Sequence, residues 1–197
     1  MRVFISLIVS YLLGSIPVGY LIVSATTGGD IRKTGSGGTG ATNVSRRAGK
    51  GAGILTLVLD AWKGSAAVII AKILVGDIQY AMWWIGIAGI VAMLGHVFPV
   101  WLRFRGGKGV ATGVGVFLVL APVAVLFSGI LFVIIVWATR YVSRGSMIAA
   151  LAIPLFGWLS NVATPIIIST FIGAILIVYA HRTNIGRLLT HTENKFQ

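Results

Sequence analysis

Two glycine-rich stretches carry the residues best suited to chemistry. The first is Gly35-Ser36-Gly37-Gly38-Thr39-Gly40-Ala41-Thr42-Asn43, followed by Arg46 and Arg47. Small residues let the backbone approach a ligand and turn successive N–H groups onto an anion. Ser36, Thr42 and Asn43 add short polar side chains, and arginine adds a planar fork that matches phosphate. The second stretch is Arg103-Phe104-Arg105-Gly106-Gly107-Lys108-Gly109, with an apolar segment starting at Val110. A glycine turn that opens a helix presents free N–H groups and the positive end of the helix dipole to an anion. Lys108 adds a point charge. The spacing is not that of a Walker A loop, which requires G-x-x-x-x-G-K-[ST].

A third element, His181-Arg182-Thr183-Asn184 with Arg187, follows the last apolar run. Its side chains suit phosphate or lipid headgroups. His96, near Phe98-Pro99, reads as a packed or capping histidine, and His191 as solvated. Asp60 and Lys63, spaced i, i+3 within an apolar run, read as a buried ion pair fixing the bundle.

The elements that position these residues must be membrane helices. Hydrophobic residues form 57% of the 197 positions and charged residues 10%, against roughly a quarter charged in soluble domains. Residues 3–25, 78–102, 110–139 and 145–180 contain no Asp, Glu, Lys or Arg, and about 20 apolar residues suffice for a span. The first run is too long and too sparsely basic for a cleaved signal peptide. Spans are expected at 3–25, 52–76 and 80–102. The run 110–139 is expected as two short helices divided at Pro122, and 145–180 as two that break near Ser160–Pro165. With the N-terminus outside and the C-terminus cytoplasmic, every lysine and arginine except Arg2, Lys63 and Lys72 falls on the cytoplasmic side. A single helix at 110–139 would strand the last five outside, so the positive-inside rule favours about seven transmembrane segments. The expected fold is a single-domain (1–197), all-α, polytopic bundle.

Composition also excludes chemistry. Without cysteine there are no disulfides, zinc thiolates or thiol nucleophiles, and four acidic residues with three histidines give little for a metal cluster. No metal and no cofactor are expected. The net charge of +12 lies in short loops between apolar runs, which fits an anionic membrane surface rather than nucleic acid. Asp30, Asp60 and Asp77 are too scattered for the metal-binding aspartates of a phosphatidyl-alcohol transferase. A transporter or flippase of a phosphorylated molecule is the alternative, although no inverted repeat is apparent.

Together the loops resemble the bacterial glycerol-3-phosphate acyltransferases that use acyl phosphate, the PlsY family. The resemblance begins at Leu13-Gly14-Ser15-Ile16-Pro17 and the Gly35–Asn43 loop and continues through Leu59-Asp60…Lys63-Gly64. It then covers Gly95–Pro99 with Phe104–Thr112, Arg140–Ser143, His181–Leu189 and Glu193-Asn194-Lys195. It implies acyl transfer from acyl phosphate to the sn-1 hydroxyl of glycerol 3-phosphate in the bacterial inner membrane, with the site open to the cytoplasm and no obligate protein partner. It further implies catalytic roles for Ser36, Arg46, Lys108, His181 and Asn184. Substrate-binding roles are implied for Gly35, Gly37, Gly40, Thr42, Asn43, Arg105, Gly106, Gly107, Gly109 and Ser143, and structural ones for Asp60, Lys63 and Glu193. Gly38-Thr39 stands where the family usually has Asn-Pro or a similar pair, and Arg105 where it usually has lysine. No histidine is followed by the aspartate of a His-x-x-x-x-Asp acyltransferase. Direct attack by the glycerol hydroxyl is therefore expected, with His181 or a substrate phosphate as base and Ser36 binding rather than attacking.

Overall fold

A computed structural model of the chain describes residues 1–196. Among them every regular element is helical. The first apolar run, expected as one helix, is two: α1 (Arg2–Ser15) and α2 (Val18–Thr27). Pro17 lacks an N–H and forces Ile16 out of helical geometry (ψ 116°). The Ile16 carbonyl freed by this break accepts a 2.7 Å hydrogen bond from Lys63 Nζ. The same carbonyl accepts from Val18 N–H at 3.0 Å, so a polar side chain adds a second partner to a backbone group exposed by the break.

The segment 26–51 folds more than a loop would. It contains a single 3-10 turn (Ile31–Lys33) and the helix α3 (Ala41–Ala48). α4 (Lys50–Val75) and α5 (Ala81–Val97) follow, and Pro99 then starts a 3-10 turn over Val100–Leu102. The run 110–139 divides at Pro122 into α6 (Val110–Leu120) and α7 (Pro122–Thr139). α8 (Val142–Leu159) and α9 (Thr164–Ala180) flank the break at 160–163, where Asn161 takes a positive φ of 55°. α10 (Arg182–Leu189) turns away from α9 by 57°.

Five helical stretches, with α1 and α2 taken together, are long and apolar enough to cross a membrane. α9 and the short α6 complete the seven apolar segments. α6 has 11 residues and spans about 16 Å, half the hydrocarbon thickness. It survives as a half-span because it packs against α4 by backbone contact. A β-carbon on Gly115 would collide with the Ala61 carbonyl, and one on Gly64 with the Thr112 carbonyl. Small residues on both helices let them approach this closely, as membrane interfaces require. Val68, Met93, Val116, Phe117, Ile166 and Ile177 fill the centre of the bundle. Trp62, Trp137, Leu126 and Ile73 face outward, as expected where the solvent is lipid.

Candidate active site

A cavity of about 260 Å³ opens where α3, α4, α5, α6, α8 and α10 meet. Of the residues read from sequence, Gly35, Ser36, Gly40, Thr42, Asn43, Arg46, Lys108, Gly109, Ser143, His181, Asn184 and Glu193 line it, and so does Asp60. Residues from three distant parts of the chain converge there.

The first wall is the Gly35–Arg46 segment. Gly40 caps α3 with extended backbone, and Asn43 N–H bonds back to the Gly40 carbonyl. The amides of Ala41 and Thr42 make no backbone hydrogen bond of the helix and lie at the cavity. The Asn43 side chain, only 4% exposed, faces its own loop. Nδ2 donates to the carbonyls of Ile31, Thr34 and Gly38 at 3.3, 3.0 and 2.9 Å, while Oδ1 accepts from Ser36 N–H at 3.3 Å. Its amide is therefore committed to shaping the loop that carries Ser36. Asp30 and Arg32 brace the same loop with a 2.7 Å ion pair. This hydrogen-bonded guanidinium holds the Asp30 carboxyl at about 2. Arg32 also donates to the Leu102 carbonyl at 3.3 Å, tying the first loop to the second.

The second loop differs from expectation. Gly106 N–H donates to the Val97 carbonyl at 3.2 Å and Gly107 N–H to the His96 carbonyl at 3.1 Å. Neither glycine lines the cavity, and neither do Arg105 or Gly37. The carbonyls at the end of α5 need donors, and these two amides supply them. Amides available to a ligand begin at Lys108 and continue through Gly109, Val110 and Ala111 at the start of α6. Gly109 permits this with φ +78°, a left-handed conformation that glycine adopts without strain. Burial pushes the Lys108 ammonium down to about 8, with Arg187 and Arg46 adding to the effect and Glu193 opposing it.

The third wall is α10 and the tail. His181, 2% exposed, donates from Nδ1 to the Ile177 carbonyl at 2.8 Å, because a carbonyl can only accept. Its lone pair is therefore on Nε2. Burial, reinforced by the Lys108 charge, lowers its pKa to about 4 and keeps the ring neutral. Glu193 accepts from Ser143 Oγ at 3.0 Å, Asn184 Nδ2 at 2.7 Å and Arg187 Nε at 2.7 Å. Burial alone would raise this carboxyl, but the three hydrogen bonds outweigh it and hold it below the usual range. Asn184 Oδ1 is buried and accepts no hydrogen bond from the described residues.

Lys63 lies below the cavity, 2.8 Å from Asp60 Oδ1. Arg187, read from the sequence only as part of a segment suited to phosphate or lipid headgroups, lines the cavity, and so does His96, which sequence reasoning took for a packed or capping histidine. Arg187 stands three residues after Asn184, a spacing that puts both on one helix face. His96 carried no such signal. Among the described residues no group of three or more His, Cys, Asp or Glu could hold a metal ion.

Two helix N-termini, three cations and a neutral histidine meet at one cavity among apolar helices, which makes this an integral membrane protein with a cavity suited to anions of phosphate type. The chain belongs to the glycerol-3-phosphate acyltransferase family, whose model matches residues 4–191. It is 44% identical to the glycerol-3-phosphate acyltransferase of Syntrophotalea carbinolica over 98% of this chain and 97% of the relative. Identity to the enzyme of Geobacter sulfurreducens is 46%, over 96% and 95% of the two chains. Among solved structures it is similar to PlsY, an integral membrane glycerol 3-phosphate acyltransferase. The glycerol 3-phosphate form superposes with a TM-score of 0.92 at 37% identity, covering 100% of this chain and 96% of that one. The lysophosphatidic acid form gives 0.89 at 36% identity with the same coverage.

Proposed function

We propose that the protein transfers a fatty acyl group from acyl phosphate to the sn-1 hydroxyl of glycerol 3-phosphate, releasing lysophosphatidic acid and inorganic phosphate. The observation that carries this reading is the pairing of two helix N-termini, those of α3 and α6, at one cavity with Arg46 and Lys108. Such a site suits two phosphate groups. Acyl phosphate is a mixed anhydride with a good leaving group, so positioning and charge stabilisation supply most of the rate. The O1 hydroxyl attacks the acyl carbon, the bond from that carbon to the phosphate oxygen breaks, and phosphate leaves with the electron pair. The hydroxyl proton passes to His181 Nε2 or to a phosphate oxygen. Both acidic groups at the cavity are engaged, Asp60 by Lys63 and Glu193 by Arg187, which leaves no free carboxylate for that step.

Ser36 binds, Asn184 Oδ1 accepts from a glycerol hydroxyl, and Arg46 with Lys108 and the α3 and α6 amides holds the phosphates. The site faces the cytoplasm at a bacterial inner membrane, with the N-terminus outside, a reading supported by the positive-inside bias of the basic loops. The test supplies purified protein in detergent with glycerol 3-phosphate and either palmitoyl phosphate or palmitoyl-CoA. Lysophosphatidic acid and phosphate should form with palmitoyl phosphate alone. Product from the CoA ester, or none from the phosphate, overturns the donor assignment. A stable acyl-Ser36 trapped in a single turnover overturns direct attack.

A further inference from the structure

A buried polar chain under the second loop has no part in the reaction described above. Lys63 Nζ donates to the Ile16 carbonyl at the α1–α2 break and lies 2.8 Å from Asp60 Oδ1. The same oxygen is 3.5 Å from His96 Nδ1. Asp60 and His96 are 1% and 5% exposed, and what little of each is reachable faces the cavity. The His96 imidazole is the plate on which the second loop rests. The His96 backbone carbonyl accepts from Gly107 N–H, and a β-carbon on Gly107 would collide with Nε2 of the ring. The next residue is Lys108.

We propose that Asp60 and His96 are positioning residues that fix Lys108 and the following amides at the cavity. The carboxylate sets the imidazole edge, the imidazole sets the height of Gly107, and Gly107 sets where the Lys108 backbone enters α6. Side chains meant only to hold helices together have no reason to line a ligand cavity, as Asp60 and His96 do, or to support the residue before its lysine, as His96 does. Side chains that support a binding group through packing and charge typically decide whether that group reaches its ligand. The proposal rests on the reading of Lys108 as a phosphate contact.

The test titrates glycerol 3-phosphate calorimetrically into purified protein in detergent, using H96N, K108A and the double variant. H96N should weaken binding roughly tenfold in the native background and less than about twofold in K108A, because residues acting through one another are not additive. Equal losses in both backgrounds would assign His96 a general structural role and overturn the inference. D60N/K63M guards against misfolding, since removing both charges together leaves no orphaned ion. It should show the same dependence on Lys108, with a melting transition that stays cooperative and a midpoint lowered only by the lost Lys63–Ile16 hydrogen bond. An unchanged affinity in K108A removes the phosphate contact itself, and the inference falls with it. Weakening by K108A without weakening by H96N or D60N/K63M removes the inference alone.

Discussion

Replacing Asn43 by aspartate is the sharpest perturbation, because the two side chains have nearly the same shape. In the native loop the amide Nδ2 faces three carbonyls, those of Ile31, Thr34 and Gly38, at 2.9–3.3 Å. Its two N–H groups are shared among them, and Oδ1 accepts from Ser36 N–H. Truncation to alanine removes two donors and one acceptor. At about 0.5–1.5 kcal/mol net for each, partly recovered by water at this surface, the loop loses on the order of 2–3 kcal/mol. That is roughly a 30- to 150-fold change in its order–disorder equilibrium, and apparent affinity falls once the ordered form is no longer dominant. Aspartate keeps the acceptor for Ser36 but turns the other oxygen, an acceptor, toward three carbonyls. Asn43→Asp should therefore be at least as damaging as Asn43→Ala.

Two measurements check this. The KM for glycerol 3-phosphate should rise about tenfold or more in both variants, and lowering the pH toward 5 should partly rescue only the aspartate, whose protonated form can donate. Hydrogen exchange in the absence of substrate should show residues 31–40 deprotected in both. Native protection and a native KM in Asn43→Asp would refute the assignment of Asn43 as the clamp of the loop. Native protection with a raised KM would move its role to the substrate itself.

Lys108→Ala should raise the KM for a phosphate substrate at least tenfold, and an unchanged KM would leave the lysine as a membrane anchor. Because burial lowers Lys108 from 10.5 to about 8, its charge in the free protein is lost as pH rises through 8, so glycerol 3-phosphate affinity should decline there. Stability should move the opposite way between about 8 and 10.5, since the unfolded chain binds the extra proton in that window; thermal melts in detergent across that range test the sign. Glu193→Ala should release the tail and expose the 190–196 region to limited proteolysis, with activity falling as Asn184 and Arg187 lose their partner. The Glu193 contribution to stability should fade as pH falls below the ordinary carboxyl value of 4.5, because its folded pKa is depressed. Gly115→Val should lower the melting midpoint by several degrees, as its side chain meets the Ala61 carbonyl and unseats α6.

Much of the fold was legible in the sequence, and the reason is the solvent. In hydrocarbon every backbone group must be satisfied within its segment, so uncharged runs map onto helices almost one for one. Charge placement resolved the one ambiguous run, and α6 and α7 do divide at Pro122. The break at Pro17 escaped because its cost depends on a partner 47 residues away: nothing local announces that Lys63 will accept the role of capping Ile16. Helices α3 and α10 lie outside the spans. There the hydrophobic argument has no force, and short polar helices are fixed by contacts rather than by pattern.

At the site, sequence pointed to residue types suited to phosphate but not to which backbone groups line the cavity. Gly106, Gly107 and Gly109 look alike in one dimension. In the fold the first two amides are committed to the carbonyls ending α5, and the third lies at the start of α6 facing the cavity. The difference arises because α5 ends immediately before the loop and has carbonyls to satisfy. The same competition explains Asn43, which reads as a ligand donor beside arginine and yet folds inward, since Ile31, Thr34 and Gly38 offer carbonyls at 2.9–3.3 Å. A polar side chain in a glycine-rich loop thus has two possible clients, the ligand and the loop itself. Glycine makes the second more demanding, because a backbone with so much freedom must be held by something. The Gly35–Arg46 segment needs Asn43 for that purpose, which leaves Ser36, Thr42 and Arg46 lining the cavity as the groups of this segment proposed to meet phosphate.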